Sequence, residues 1–521
     1  MAVRWSSLLI AALLAVPSGL AFAVPVDTVR ELAGRIGPIV GSASACRDIA
    51  RPRLQVIIEK FQTVIREAST VNADRDELTR LLDRYVADGR TALTSGRTDC
   101  RGAERQLADL EQSIASLSQT SSLLPEVTFA PPSAMAATAP TQVLPPPMNV
   151  HGVTQNEIKF GIVIPFSGPG KEVGRLVKLG IETAFNRANE SGGVNGRVLK
   201  LVAADDAYDP TRTVDAMKQL YDKDQVFGFI GSTGSANAAV AIPYALERRA
   251  LFFAPNTGAG VTRRDPPDRY VFNYRPSYAE ETQTIVNYMV KLRRLQPKQI
   301  AIFAQNDAFG DAGFAGVAKA FRALGLNDST IVRVGYQRNT IDVDEAIKVL
   351  KAQKVPVRAV VMVATTRAAA KFIEKAHEQL PNLIFANIST VGGSGLANEL
   401  MLLGPRYANG VIVTQVVPGV SGYSSTVLEY KSALAKYFAG EAPSYTSLEG
   451  YISASMLIQA LKRVGPQFDT EKLVDTLENI QNFDLGLGAQ LGFGRAEHQA
   501  SHKIWGTALD ETGTFQPIEL E

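Results

Sequence analysis

The chain has 521 residues, enough for two or three domains, and its 45% hydrophobic and 20% charged residues give a globular balance that allows a large core. The formal net charge is +2 and no basic cluster stands out, which argues against nucleic acid as a partner. Four histidines and two cysteines, none in a metal-ligand or nucleophile spacing, argue against an enzyme and against a bound cofactor or metal.

Residues 1–23 read as a secretory leader. Arg4 supplies the positive end, Leu8 to Val16 a short apolar run, and Ala21-Phe22-Ala23 a small-x-small cleavage site, so the mature chain is expected to start at Val24. The apolar run is short for a membrane span, and no later run is long enough. No Cys follows the cleavage site, so the expected location is the periplasm without a lipid anchor.

Residues 24–125 are expected to form a small helical domain. Leu54, Ile57, Ile58, Phe61, Val64 and Ile65 make one helical stripe; Leu78, Leu81, Leu82, Tyr85 and Val86 make a second; Leu107, Leu110, Ile114 and Leu117 make a third. Cys46 precedes the first stripe and Cys100 begins the third, which places both at one end of the bundle. The alternatives are two free thiols or one disulfide. The small core and the exported setting favour the bridge, which stabilises by ~4 kcal/mol in the chain-entropy model. Residues 126–150, with Pro131-Pro132, Pro140 and Pro145-Pro146-Pro147 among Ala, Thr and Ser, read as an extended linker.

From Glu157 the pattern changes to alternating strands and helices. Ile158, Phe160, Ile162 and Ile164 alternate, with Gly161 and Val163 leaving the other face apolar, as in a strand buried on both sides. A Ser167-Gly168-Pro169 loop follows, then a helical stripe of Val173, Leu176, Val177, Ile181, Ala184, Phe185 and Ala188 that ends at Gly192-Gly193. After a second strand and Asp205-Asp206, Asp209 is placed to cap a helix that opens at Pro210. Asp205-Asp206 reads as a solvated strand-end turn in preference to a metal site, since no partner ligands lie nearby. Further strands are expected at 226–230, 251–254 and 270–274, and Ser277-x-x-Glu280 is a capping box. A second series of strands and helices starts at 299, so two doubly wound lobes with a cleft between them are expected.

Loops at the carboxyl ends of parallel strands face one edge of the sheet, where ligands bind. One is Gly231-Ser232-Thr233-Gly234-Ser235, followed by a helix. Its small residues, hydroxyls and helix N-terminus suit an anion such as a carboxylate, though Ser235 fits a simple helix cap equally well. The next is Pro255-Asn256-Thr257-Gly258-Ala259. The second lobe offers Asn306-Asp307-Ala308-Phe309-Gly310, Thr365-Thr366 and Thr390-Val391-Gly392-Gly393, each of which is also an ordinary strand-to-helix turn.

Residues 157–210 resemble the start of the periplasmic Leu/Ile/Val-binding proteins, the type I solute receptors of ABC importers. The matches are Pro165-x-Ser167-Gly168-Pro169, Gly180, Ser191-Gly192-Gly193-Val194-Asn195-Gly196 and Asp205-Asp206-x-x-Asp209-Pro210, with Gly231 to Ser235, Asp307-x-Phe309-Gly310 and Gly410-Val411 further on. The resemblance spans 157–521 and implies the type I periplasmic binding protein fold, α/β with two doubly wound lobes and three hinge crossovers. These fall near 274–277, 413–418 and 483–490, giving a first lobe of 157–276 and 416–483 and a second of 277–415 and 484–521. It further implies a receptor that closes on a small solute, an amino acid or related carboxylate, and delivers it to an ABC permease in the inner membrane.

Carried over by position, Ser235 matches the hydroxyl that binds the α-carboxylate, with Ser232 and Thr233 beside it. Asn256 falls where a backbone carbonyl receives the ammonium; Gly258 stands where the family has a second carboxylate-binding Thr, with Thr257 as its neighbour. Phe309 and Thr365 replace ligand-facing Tyr residues, and Thr390 replaces an ammonium-binding Glu. Val173 joins them on the first helix of the lobe. The pattern, with Arg275-x-Ser277-Tyr278 and Ser447-Leu448-Glu449-Gly450-Tyr451, reads as a diverged branch whose ligand need not be a branched-chain amino acid. A plain receptor does not need the helical extension and Pro-rich linker. They motivate a second reading, a sensing or interaction protein in which the extension holds a protein partner.

Overall fold

A computed structural model describes residues 26–46, 48–68, 72–95, 98–108, 110 and 150–520. The expected leader, most of the linker and the end of the helical domain lie outside these residues. The chain divides into two compact units, whose described parts are 26–110 and 150–520.

The first unit is helical: Val26–Ser44, Arg51–Ala68, Asn72–Thr94 and residues 100–108. Its core joins Val29, Ala33, Ile36 and Val40 of the first helix to Leu54, Ile57, Phe61, Leu78, Leu82 and Leu107. The first helix is an addition to the sequence reading, because Gly34, Gly37, Pro38 and Gly41 all weaken an isolated helix. Here those small residues are what the packing needs. A Cβ on Gly41 would lie 2.1 Å from the Val86 carbonyl oxygen, and one on Gly89 would lie 2.3 Å from that of Pro38. Cys46 and Cys100 form a disulfide with a Cα separation of 5.7 Å, tying the end of this helix to the start of the 100–108 helix.

The second unit is α/β. Its strands are β1 (Glu157–Ile164), β2 (Val198–Asp205), β3 (Gly228–Ile230), β4 (Leu251–Phe253), β5 (Val271–Phe272), β6 (Ile300–Gln305), β7 (Val332–Tyr336), β8 (Ala359–Val363), β9 (Ile384–Asn387), β10 (Ile412–Gln415), β11 (Phe483–Asp484), β12 (Gln490–Leu491), β13 (Trp505–Leu509) and β14 (Phe515–Ile518). One sheet has the order β2-β1-β3-β4-β5 and is parallel throughout. The other has the order β14-β13-β10-β9-β8-β6-β7, parallel from β7 to β10 and antiparallel from β10 to β14. Strands β6 to β10 thus repeat the order of β1 to β5. Each sheet carries an apolar cluster on both faces, which explains the near-continuous apolar strands.

Helix Lys171–Glu190 packs against Tyr445–Val464 so closely that a Cβ on Gly180 would lie 1.9 Å from the Ser447 carbonyl oxygen. Asp209 caps Pro210–Lys218, accepting from the Thr211 N–H, and Ser277 with Glu280 forms the capping box of Tyr278–Lys291.

The chain crosses between lobes after β5 and after β10. The third crossing comes later than the expected 483–490. Leu487, Leu491, Phe493 and Ala500 still belong to the first lobe's core, and Phe493 packs edge-on against Phe253 and Phe272. Residues 498–501 run beside the first crossing, with the Asn273 N–H donating to the His498 carbonyl at 2.7 Å and the Ser501 N–H to that of Tyr274 at 3.0 Å. Residues 484–500 therefore belong with the first lobe, because their apolar side chains complete its core.

Candidate ligand-binding cleft

The loops at the carboxyl ends of the two sheets face each other across a cleft. The Ser167-Gly168-Pro169 loop is pinned by Asp205, whose carboxylate accepts from the Phe166 N–H at 2.8 Å and the Ser167 hydroxyl at 2.6 Å. Burial pushes that carboxyl up, but these hydrogen bonds outweigh it and hold its pKa below the ordinary range. Asp206 is buried and accepts from the Tyr208 N–H, the Thr213 hydroxyl and the Asn237 amide. The pair is therefore a structural clamp, and among the described residues no cluster of three His, Cys, Asp or Glu could hold a metal.

Between the lobes lies an inner cavity of about 60 Å³. Val173, Thr233, Ser235 and Asn256 line it from the first lobe, and Phe309, Thr365 and Thr390 from the second. It opens into a wider outer cleft of about 410 Å³ that shares Pro169, Val173, Thr366 and Thr390 and adds Lys171, Glu172, Arg367 and Glu399.

Ser235 is the first residue of helix Ser235–Glu247, and no side chain caps that helix. Its hydroxyl pairs instead with the Thr257 hydroxyl at 2.9 Å. An uncapped helix N-terminus beside an oriented hydroxyl is an anion-binding arrangement. Phe309 stands edge-on to Tyr278, ring centroids 5.2 Å apart. Thr365 stands at the N-cap position of helix Thr366–Gln379 without capping it, since both its N–H and its hydroxyl meet the Tyr336 hydroxyl.

Three of the expected residues stand back from the cavity lining. The Ser232 hydroxyl accepts from the Val163 N–H at 3.2 Å and so ties β3 to β1. Thr257 is fully buried behind Ser235. A Cβ on Gly258 would lie 2.6 Å from the backbone nitrogen of Tyr278, so this position needs Gly because Tyr278 takes the space a Thr would use. Tyr208 and Tyr278 line the cavity although the sequence did not point to them as ligand-facing, and Thr366 of the Thr365-Thr366 loop joins them. The Arg275-x-Ser277-Tyr278 motif was the available signal for Tyr278. Tyr208 gave none, since it reaches the cleft through a left-handed backbone with φ of 60°.

Below the cavity the first crossing carries a buried ion cluster. Arg275 is 1% exposed and lies 3.2 Å from Glu281 and 3.5 Å from Glu449. Glu281 also accepts from the Ser389 N–H at 2.8 Å and from the Ser389 and Thr414 hydroxyls. Burial disfavours the Arg275 charge, but the two carboxylates outweigh it and hold the guanidinium protonated.

Comparison with known proteins gives a consistent picture. A family model described as periplasmic binding protein matches residues 157–514. A Leu/Ile/Val-binding protein homolog of Brucella melitensis is 24% identical over 339 residues, covering 64% of this chain and 86% of its own. A Leu/Ile/Val-binding protein of Rhizobium johnstonii is 26% identical over 341 residues, covering 64% and 86%. Among solved structures, a possible leucine/isoleucine/valine-binding protein from Rhodopirellula baltica is 34% identical, with a TM-score of 0.67, covering 72% of this chain and 98% of its own.

Proposed function

Because the chain belongs to the periplasmic binding protein family, matched over residues 157–514, we propose that it is the solute receptor of an ABC importer and binds a small carboxylate, an amino acid or a related acid. Membership in the family implies a periplasmic or exported location; a cleaved leader and no lipid anchor complete the reading. Binding proceeds by hinge closure of two lobes, and no bond is made or broken. The closed receptor delivers its solute to an inner-membrane permease. The helical unit, which has its own core, is assigned to a separate protein partner.

The observation that carries this reading is the uncapped helix N-terminus at Ser235, which shares one cavity with Thr233 and Asn256 on its own lobe and Phe309, Thr365 and Thr390 on the other. Donors on one wall and an aromatic ring on the other suit a ligand with an anionic end and an apolar body. Isothermal titration of the purified chain against amino acids and small carboxylates tests it. At least one should bind with micromolar affinity or better, and Ser235→Ala should weaken it about tenfold, the loss of one charge-assisted hydrogen bond. Absence of heat with every member of both classes would overturn the proposal.

A further inference from the structure

We propose that the ligand of this cleft is a carboxylate without an α-ammonium group, with an uncharged, largely apolar body. The inference rests on the receptor reading above and narrows it. An α-amino acid carries its ammonium and its carboxylate on the same carbon, so wherever the carboxylate docks the ammonium must be buried beside it. A buried ammonium is strongly disfavoured unless a carboxylate faces it.

Among the described residues lining the inner cavity there is no Asp or Glu. Its polar side chains are the hydroxyls of Thr233, Ser235, Thr365, Thr366 and Thr390 and the amide of Asn256, with the two tyrosines. The acids around it already have partners. Glu281 and Glu449 face Arg275, Glu281 is further held by Ser389 and Thr414, and Glu449 also hydrogen-bonds the Asn256 side chain at the cavity wall. Asp206 accepts from Tyr208, Thr213 and Asn237. Asp307 pairs with Arg338 and accepts from Gln305 and the Phe309 N–H. Drawing any of them toward a ligand would strip a buried partner.

The anionic end is provided for differently. The Ser235 helix N-terminus carries no capping side chain, and Thr257 holds the Ser235 hydroxyl in place. The walls around it are Val173, Pro165, Pro169, Tyr208, Tyr278 and Phe309, which offer apolar and aromatic surface to the rest of the molecule. Glu172 and Glu399 lie only in the outer cleft, and Glu172 is paired with Arg175 at 3.0 Å. They can meet a charge at the far end of a long ligand, but not one next to the carboxylate.

The test compares matched pairs by isothermal titration of the full chain at neutral pH: leucine against 4-methylpentanoate, and phenylalanine against 3-phenylpropanoate. The des-amino acid should bind at least tenfold more tightly than its amino acid in a pair that binds. Equal or tighter binding of the amino acid overturns this inference and leaves the receptor reading standing. No binding by any member of the pairs, with binding elsewhere among other amino acids, also overturns it; silence across all carboxylates and amino acids overturns both. Thr390→Glu, which adds a carboxylate to the lobe opposite Ser235, should shift the preference toward the amino acid by tenfold or more, with circular dichroism showing the variant folded. The wild-type comparison decides the matter if that variant does not fold.

Discussion

Arg338 of the second lobe donates a hydrogen bond to the backbone carbonyl of Tyr208 in the first, 3.3 Å away. Its guanidinium lies 4.9 Å from the centroid of the Tyr208 ring and reaches the Asn237 side chain at 3.5 Å. On its own lobe it is anchored by Asp307. One side chain thus bridges the cleft at the point where Tyr208 borders the cavity.

Replacing that bridge should favour the open receptor. Arg338→Ala removes charge-assisted hydrogen bonds of about 1.5 kcal/mol, roughly a tenfold change in the closed-to-open ratio. Small-angle scattering should give a larger radius of gyration for the variant, and stopped-flow measurements a faster ligand dissociation. Unchanged values for both would remove Arg338 from the closing contact.

The ion cluster at the first crossing should dominate the stability of the receptor unit. Glu281 is fully buried between Arg275, Ser389 and Thr414. Glu281→Gln leaves Arg275 with one carboxylate in place of two and should cost about 3 kcal/mol in urea unfolding. Replacing an exposed acid such as Glu345 should change stability by less than about 0.5 kcal/mol.

The helical unit should depend on its disulfide. Cys46 and Cys100 are 54 residues apart, and opening that loop should cost about 2–4 kcal/mol. Cys46→Ser, or a reducing agent on the wild type, should lower the thermal transition of this unit by circular dichroism.

Acid and base should act on opposite sides of one contact. Burial pushes the Glu280 carboxyl up, but hydrogen bonds from His502, Ser277 and Gln499 outweigh it and hold its pKa at about 2. Its contribution to stability is present above the unfolded value of about 4.3 and is lost as pH falls toward 2. The His502 imidazole is raised by its hydrogen bond to the same carboxylate. Its contribution is complete below about pH 6.5 and is lost as pH rises through the raised value. The melting temperature should therefore peak between about pH 4.5 and 6.5, and Glu280→Gln should flatten both flanks.

The fold was legible where local pattern and burial agree. Alternation in β1, the stripe on helix Lys171–Glu190, and the caps at Asp209 and Ser277 all follow from short-range rules. The glycine-rich helix Val26–Ser44 was not, because its glycines are favourable only against Tyr85, Val86 and Gly89 of another helix. The late third crossing was hidden for a similar reason: Phe493 is an isolated apolar residue in sequence and finds Phe253 and Phe272 only in space. In the cleft, position along the strand ends located Ser235, Asn256 and Phe309, but not which neighbouring side chains turn away. Ser232 and Thr257 serve the backbone and Ser235 instead, and Tyr208 enters on an unusual backbone angle.

The close contact between Gly180 and Ser447 joins a segment made early on the ribosome to one made late. Asn195 likewise donates to the Leu461 carbonyl at 3.0 Å. The first lobe cannot finish its core until the whole of β6 to β10 has been synthesised and the chain has come back. The strands that precede the first crossing must therefore wait with an apolar face uncovered, and long-range closure of this kind is slow. The first sheet is made first, but the helix that covers it, Tyr445–Val464, follows β10 in the chain, so folding passes through a stage with half a lobe, sticky on one side, and no cleft at all.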